Sequence, residues 1–140
     1  MGKREGGTGK RGTLDGLPRA LPALLMAFRL QERAAGVGFD WPDAQGPLAK
    51  VKEETAELER ETGSGKREAI EDELGDLLFA VVNLARKLGV EPGQALEKAN
   101  DKFTRRFGAV EQLAAQRGIE LGRAKLEELD GLWDEVKARS

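Results

Sequence analysis

Glycine and proline cut residues 17–140 into five stretches, and along them apolar residues recur every three or four positions. That period belongs to helices buried through one face, whereas a half-buried strand would alternate. The spacing predicts helices over 22–35, 47–62, 66–88, 92–117 and 123–138, an all-α chain of four to five helices forming a helical bundle. Pro22 stands near the first turn of its helix and Gly36 past the end, the asymmetry expected of helix termini. Composition agrees: charged residues make up 34% and aromatics 5%, which suits helices with charged outer faces better than an aromatic-rich β sandwich. At 140 residues the chain has the length of one domain, placed at 17–140. Residues 1–16, rich in Gly, Lys, Arg and Thr and poor in large apolar groups, are expected to form a flexible tail.

The missing residue types narrow the chemistry. With no Cys, His or Tyr, the chain can form no disulfide, no Cys or His zinc site, no Cys nucleophile and no histidine-dependent triad. Carboxylates, amines and guanidinium groups remain. A net charge of −2 lacks the broad positive field that duplex nucleic acid requires, so no stable nucleic-acid binding is expected. No apolar run approaches the roughly 18 residues that span a bilayer and the N-terminus has no apolar signal core, so no membrane partner and a cytoplasmic location are expected. A GGTGKRGT stretch at 6–13 has Arg4 where a phosphate-binding loop needs its first Gly, Arg11 in place of Ser/Thr, and no strand before it.

In the second helix Leu48, Val51, Thr55 and Leu58 form a core stripe, with Glu54, Glu57 and Glu61 in a like-charged column beside it. In the third, the apolar face is read as Ile70, Leu74, Leu77, Val81, Leu84 and Leu88, with Glu73 and Asp76 one turn apart along its edge. Asp76 precedes LLFAVV, where the helix becomes apolar nearly all round, so its carboxylate is expected to be partly desolvated. Counted from Ser64 in the intervening turn, Glu57 and Glu54 lie seven and ten positions back and Glu73 and Asp76 nine and twelve forward. An antiparallel hairpin therefore brings four carboxylates to similar heights with no His to neutralise them, which calls for cations. Hard oxygen ligands without soft ones select Mg²⁺, with Mn²⁺ as a substitute. The alternative is a solvated acidic face paired with Lys50, Lys52 or Arg67.

The two acidic segments read EETAE (53–57) and ELGD (73–76), and with LPALLMAFRLQERAAGVGFDWPD, KVKEETAEL, ELGDLLFAVVNLAR and ANDKFTRRF around them the sequence closely resembles the MazG family of nucleoside triphosphate pyrophosphohydrolases over about 17–137. The resemblance implies the all-α pyrophosphatase fold, completed by homodimerisation or a higher homo-oligomer, and Mg²⁺-dependent conversion of a nucleoside triphosphate and water to the monophosphate and pyrophosphate, serving nucleotide-pool cleansing. Carried over by motif, Glu54, Glu57, Glu73 and Asp76 are the metal ligands, and Glu53 lies beside them as a supporting group or one that orients water. Lys50, and the KFTRR segment with Lys102, Arg105 and Arg106, fall on the nucleotide side, and Trp133 with Lys137 one turn later resembles the family's C-terminal nucleotide contact. Members often carry two such domains in tandem; this sequence holds one set of the motifs.

Lys102 and Arg106 share a helix face at i and i+4 and have the chemistry to hold a triphosphate, the favoured reading, with an ordinary solvated basic face as the alternative. Phe39 and Trp41, in the first long loop, either stack on a base or plug the end of the bundle, and the plug is the favoured reading. Phe79 and Val82 point away from the Leu74 and Val81 face, giving the third helix a second apolar side suited to a dimer interface. The competing function is a non-catalytic helical dimer that binds nucleotide or a partner protein.

Overall fold

The computed structural model describes residues 12–140. The helices are α1 (Ala23–Gly36), α2 (Gln45–Thr62), α3 (Arg67–Lys87), α4 (Pro92–Gln116) and α5 (Leu126–Arg139), with no strand among the described residues. None of these helices is long and apolar enough to cross a membrane. Most of the expected tail lies outside the described residues. Its end, 12–16, forms a turn in which the Asp15 amide donates to the Gly12 carbonyl and the Gly12 amide to Asp15 Oδ2 at 2.7 Å. Arg33 of α1 donates to the carbonyls of Thr13 and Asp15 at 3.2 and 2.7 Å.

The expected termini hold to within a few residues, and the ends of α3 and α4 show why. Gly89 and Gly118 take φ of 74° and 68°, a conformation that costs little only without a Cβ. This lets the Val90 amide reach back to the Ala85 carbonyl and the Ile119 amide to the Ala114 carbonyl, each at 2.9 Å, satisfying carbonyls the helix would otherwise leave unpaired. Gly36, expected beyond the end of α1, is its last residue. At the other extreme, α5 begins at Leu126 rather than near 123, because Arg123 and Ala124 are drawn into a turn on the Glu120 carbonyl.

The chain divides into two compact units, one ending at Gly93 and one over Gln94–Ser140. In the first, α2 and α3 pack as a hairpin and α1 packs on α3. Pro47, in the first turn of α2 where a missing N–H costs nothing, is fully buried. Glu68 opens α3 and Arg86 and Lys87 close it, matching the sign of the helix dipole at both ends. The packing face of α3 is rotated from the one expected: Ala80 and Val82 are buried, Val82 to 1% exposure, while Leu74, Val81 and Leu88 are exposed. The reason is that two neighbours approach α3 from different sides, and a helix apolar nearly all round does not reveal which flank each will take. Val82 is thus a core residue and not part of a free second side; Leu74, Leu78 and Val81 form the uncovered stripe.

The second unit has its own core, in which Val110, Leu113 and Ala114 of α4 meet Leu132 and Val136 of α5. Arg117 closes it with a two-pronged bond to Glu135, at 2.5 and 2.8 Å. Phe103 lies between Phe107 and Trp133, with ring centroids 5.8 and 5.6 Å away.

The loop joining α1 to α2 is fastened by charge and by a close approach. Asp40 bonds to Arg86 at 2.5 Å and to Lys87 at 3.3 Å. The hydrogen bond from Arg86 is the chief cause that brings its carboxyl down from 3.8 to about 2, with Lys87 and the Trp41 amide helping against partial burial. The Trp41 ring lies so close over Gly46 that a Cβ there would stand 2.3 Å from a ring carbon, so a larger residue would push the ring aside. Phe39 is 82% exposed, so the plug reading fails for Phe39: the Asp40 bonds and the packing of the Trp41 ring on Gly46 hold this loop.

Candidate active site

The hairpin register sets the site. Glu54, ten positions before Ser64, falls between Glu73 and Asp76, nine and twelve after it. The turn is tied by Ser64, whose hydroxyl bonds to the Glu61 carbonyl at 2.7 Å and to Glu61 Oε1 at 2.9 Å. As a result Glu54, Glu73 and Asp76 each offer a carboxylate oxygen within 4.8 Å of the others. Three of the four expected carboxylates are brought together. Glu57, one turn further along α2, bonds instead to Arg60 at 2.5 Å.

Burial within the trio differs from the sequence expectation. Asp76 is exposed and Glu54 is the buried member, at 8% exposure. Glu54 lies on the packed face of α2, whereas the Asp76 side chain stands at the open edge of the hairpin. Partial burial of Glu73, and then the charges of Glu54, Glu57, Asp76 and Asp72, hold its carboxyl above the usual range. The cluster is therefore electrostatically unfavourable by itself and favours a positive guest.

One cation of the chain already stands beside it. Lys50 Nζ lies 2.7 Å from Glu53 and 3.2 Å from Glu54, one and the same ammonium serving both. The bond to Glu53 first, and then that to Glu54, raise the lysine's pKa. Glu53 is thereby held on the solvent side, away from the trio, with more than half of its side chain exposed. The donor set fits a hard divalent cation: carboxylate oxygens only, one of them buried, with no nitrogen or sulfur ligand near.

The remaining expected residues lie in the second unit. Lys102 and Arg105 are exposed on α4, and Arg106 donates from Nε to Ser140 Oγ at 3.1 Å. Trp133 is partly buried against the α4–α5 core and the Phe103 ring, and Lys137 is exposed on α5. In this structure Trp133 is a packing residue first. Sequence reasoning passed over Gln31, which is the buried residue of α1. Its signal was there to be read: with Leu24 and Phe28 it makes an i, i+4, i+7 stripe, so a polar amide sits where the helix packs.

Comparison with known proteins adds to this geometry. Residues 44–110 match the MazG nucleotide pyrophosphohydrolase domain, a span that contains all three clustered carboxylates. The chain is 47% identical over 126 residues to the nucleoside triphosphate pyrophosphohydrolase of Escherichia coli, an alignment covering 89% of this chain and 48% of that protein. It is 42% identical over 134 residues to the nucleoside triphosphate pyrophosphohydrolase/pyrophosphatase MazG of Thermotoga maritima, covering 96% and 51%. It is also 45% identical over 136 residues to the protein YabN of Bacillus subtilis, covering 96% and 28%. The chain spans about half the length of the curated pyrophosphohydrolases it matches.

Proposed function

With residues 44–110 a member of the MazG family of domains, we propose that this protein hydrolyses nucleoside triphosphates, ribo- or deoxyribo-, to the monophosphate and pyrophosphate in a Mg²⁺-dependent reaction, and so cleanses nucleotide pools in the cytoplasm. The observation that carries the reading is the Glu54, Glu73 and Asp76 trio, three carboxylates within 4.8 Å on two helices of the matched span. These three would hold the ion, joined by Glu57 if it leaves Arg60. A bound divalent cation supplies neutralisation of phosphate oxygens and activation of water.

The chain's own part is positioning. Water attacks the α-phosphorus, the bond to the bridging oxygen breaks, and pyrophosphate departs with that oxygen while the proton of the water passes to solvent or to a carboxylate. Lys50, with its flexible stem, has the reach to exchange a carboxylate for a phosphate oxygen. Lys102, Arg105 and Arg106, and Trp133 with Lys137, are assigned to the nucleotide by motif; the guanidinium groups are suited to fork onto phosphate. The homodimer belongs to the same proposal. The exposed Leu74, Leu78 and Val81 stripe supports it, since a helix that leaves such a face bare is stabilised by covering it.

The deciding experiment incubates the protein with each canonical NTP and dNTP, with Mg²⁺ or with EDTA, and separates the products by anion exchange. Monophosphate and pyrophosphate in equal amounts, formed only with the metal, are expected. Diphosphate and phosphate would refute attack at the α-phosphorus, and tight binding without any product would leave a nucleotide-binding module.

A further inference from the structure

A cavity of about 580 Å³ opens in the first unit between α1, the loop after it and α3, apart from the carboxylate trio. Its lining includes Gln31, Phe39, Trp41, Phe79, Asn83 and Arg86. Two properties mark it as built for a ligand of a particular kind.

The first is an unanswered acceptor. Gln31 is only 6% exposed, and its Nε2 donates to the Phe79 carbonyl at 2.9 Å. That bond fixes the amide, because the flipped orientation would set one oxygen against another. Gln31 Oε1 is left buried with no partner among the described residues, and such a group requires a donor from elsewhere. The second is the wall. The rings of Phe39, Trp41 and Phe79 are exposed at the cavity, while its charged groups satisfy one another: Arg86 is bonded to Asp40 and, through Nε at 3.0 Å, to Asn83 Oδ1. The site asks for a flat, uncharged, π-rich group that carries an N–H.

We propose that this cavity receives a nucleobase, stacked on its aromatic wall, with Gln31 Oε1 accepting a hydrogen bond from a base N–H, so that Gln31 is a specificity-determining residue. That the base belongs to a triphosphate under hydrolysis rests on the pyrophosphohydrolase reading; the base site itself does not. The placement suits a nucleotide: Asn83 lies seven residues beyond Asp76 on α3, about 10 Å along the helix axis, leaving room for a sugar between base and phosphates. A hydrogen-bonding site of this kind discriminates strongly, since an analogue without the donor leaves the buried acceptor unpaired.

The test pairs nucleosides that differ only in the donor: adenosine against purine riboside, which has no exocyclic amine, and uridine against N3-methyluridine. Binding of each nucleoside to the unsubstituted protein is read by isothermal titration calorimetry. The unsubstituted nucleoside of at least one pair is expected to bind saturably and at least about tenfold more tightly than its donorless partner, with Gln31→Met erasing that difference by weakening only the donor-bearing nucleoside. Equal binding within both pairs, or no saturable change with any of the four, overturns the proposal and needs no variant to fold. A parallel comparison of ATP with purine riboside triphosphate separates the two readings. Turnover of both with equal kcat/KM, together with equal binding within both nucleoside pairs, would sink the Gln31 assignment and leave the hydrolase standing. Donor-dependent nucleoside binding without turnover of either triphosphate would do the reverse.

Discussion

Glu54 carries its charge into the packed face of α2, and a neutral isostere there separates metal binding from folding. Glu54→Gln is expected to retain helical circular dichroism, to lose the rise in melting temperature that Mg²⁺ gives the parent, and to lower NTP turnover by more than about a hundredfold, beyond the loss usual for groups that merely support a ligand. Glu73→Gln removes a charge from a cluster of like charges. Without divalent ions its melting temperature should therefore rise above the parent's, and with saturating Mg²⁺ the order should reverse; an apo protein destabilised by Glu73→Gln would show that the trio is not under repulsion. The identities of Glu54, Glu73 and Asp76 were legible from heptad-like spacing and a count from the turn, because a short hairpin leaves little freedom of register. Where Glu57 points was not legible. A competing cation one turn away decides its rotamer, and spacing along a helix cannot rank Arg60 against a metal that three other carboxylates also seek. The same limit applies to Asp76, whose burial depends on what covers α3 and not on the letters beside it.

Between elements, the bonds from Asp40 to Arg86 and Lys87 fasten the α1–α2 loop to the end of α3. The folded pKa of Asp40, about 2, lies below its ordinary 3.8, so this contribution is fully present above pH 3.8 and is lost as pH falls through about 2. Asp40→Asn should lower stability by about 1 kcal/mol near neutrality, and the difference from the parent should close as urea titrations are repeated from pH 5 down to pH 2. A gap that stays constant across that range would mean the loop is held by something other than the charge. In the second unit, Leu132→Ala removes a nearly buried side chain from the α4–α5 core and should cost about 2–5 kcal/mol, read as a lower urea midpoint at unchanged slope. Helices α2, α3 and α4 could be delimited from sequence because Pro or Gly stands near their ends. The start of α5 could not, since no such residue stands between Arg123 and Leu126 and the turn on Glu120 is a matter of backbone bonds alone.

For the molecule as a whole, the question is what covers α3. Leu78 is about half exposed and Leu74 and Val81 nearly so, a run of apolar surface at helical spacing. Leu78→Glu is expected to convert a dimer into a monomer in light scattering coupled to gel filtration; a parent already monomeric at micromolar concentration would remove the homodimer from the proposal. Which side of α3 is bare could not be read beforehand, because Leu, Val and Phe surround it almost evenly and only the arrival of neighbours distinguishes one flank from another. Lys50, finally, stands beside Glu54 as an internal rival to any incoming ion. A divalent ion that took the Glu54 oxygen now held by Lys50 would have to displace that ammonium, a cost common to all such ions. The same ammonium stands in for a divalent cation until one arrives, so the buried Glu54 carboxylate is never left without a positive neighbour.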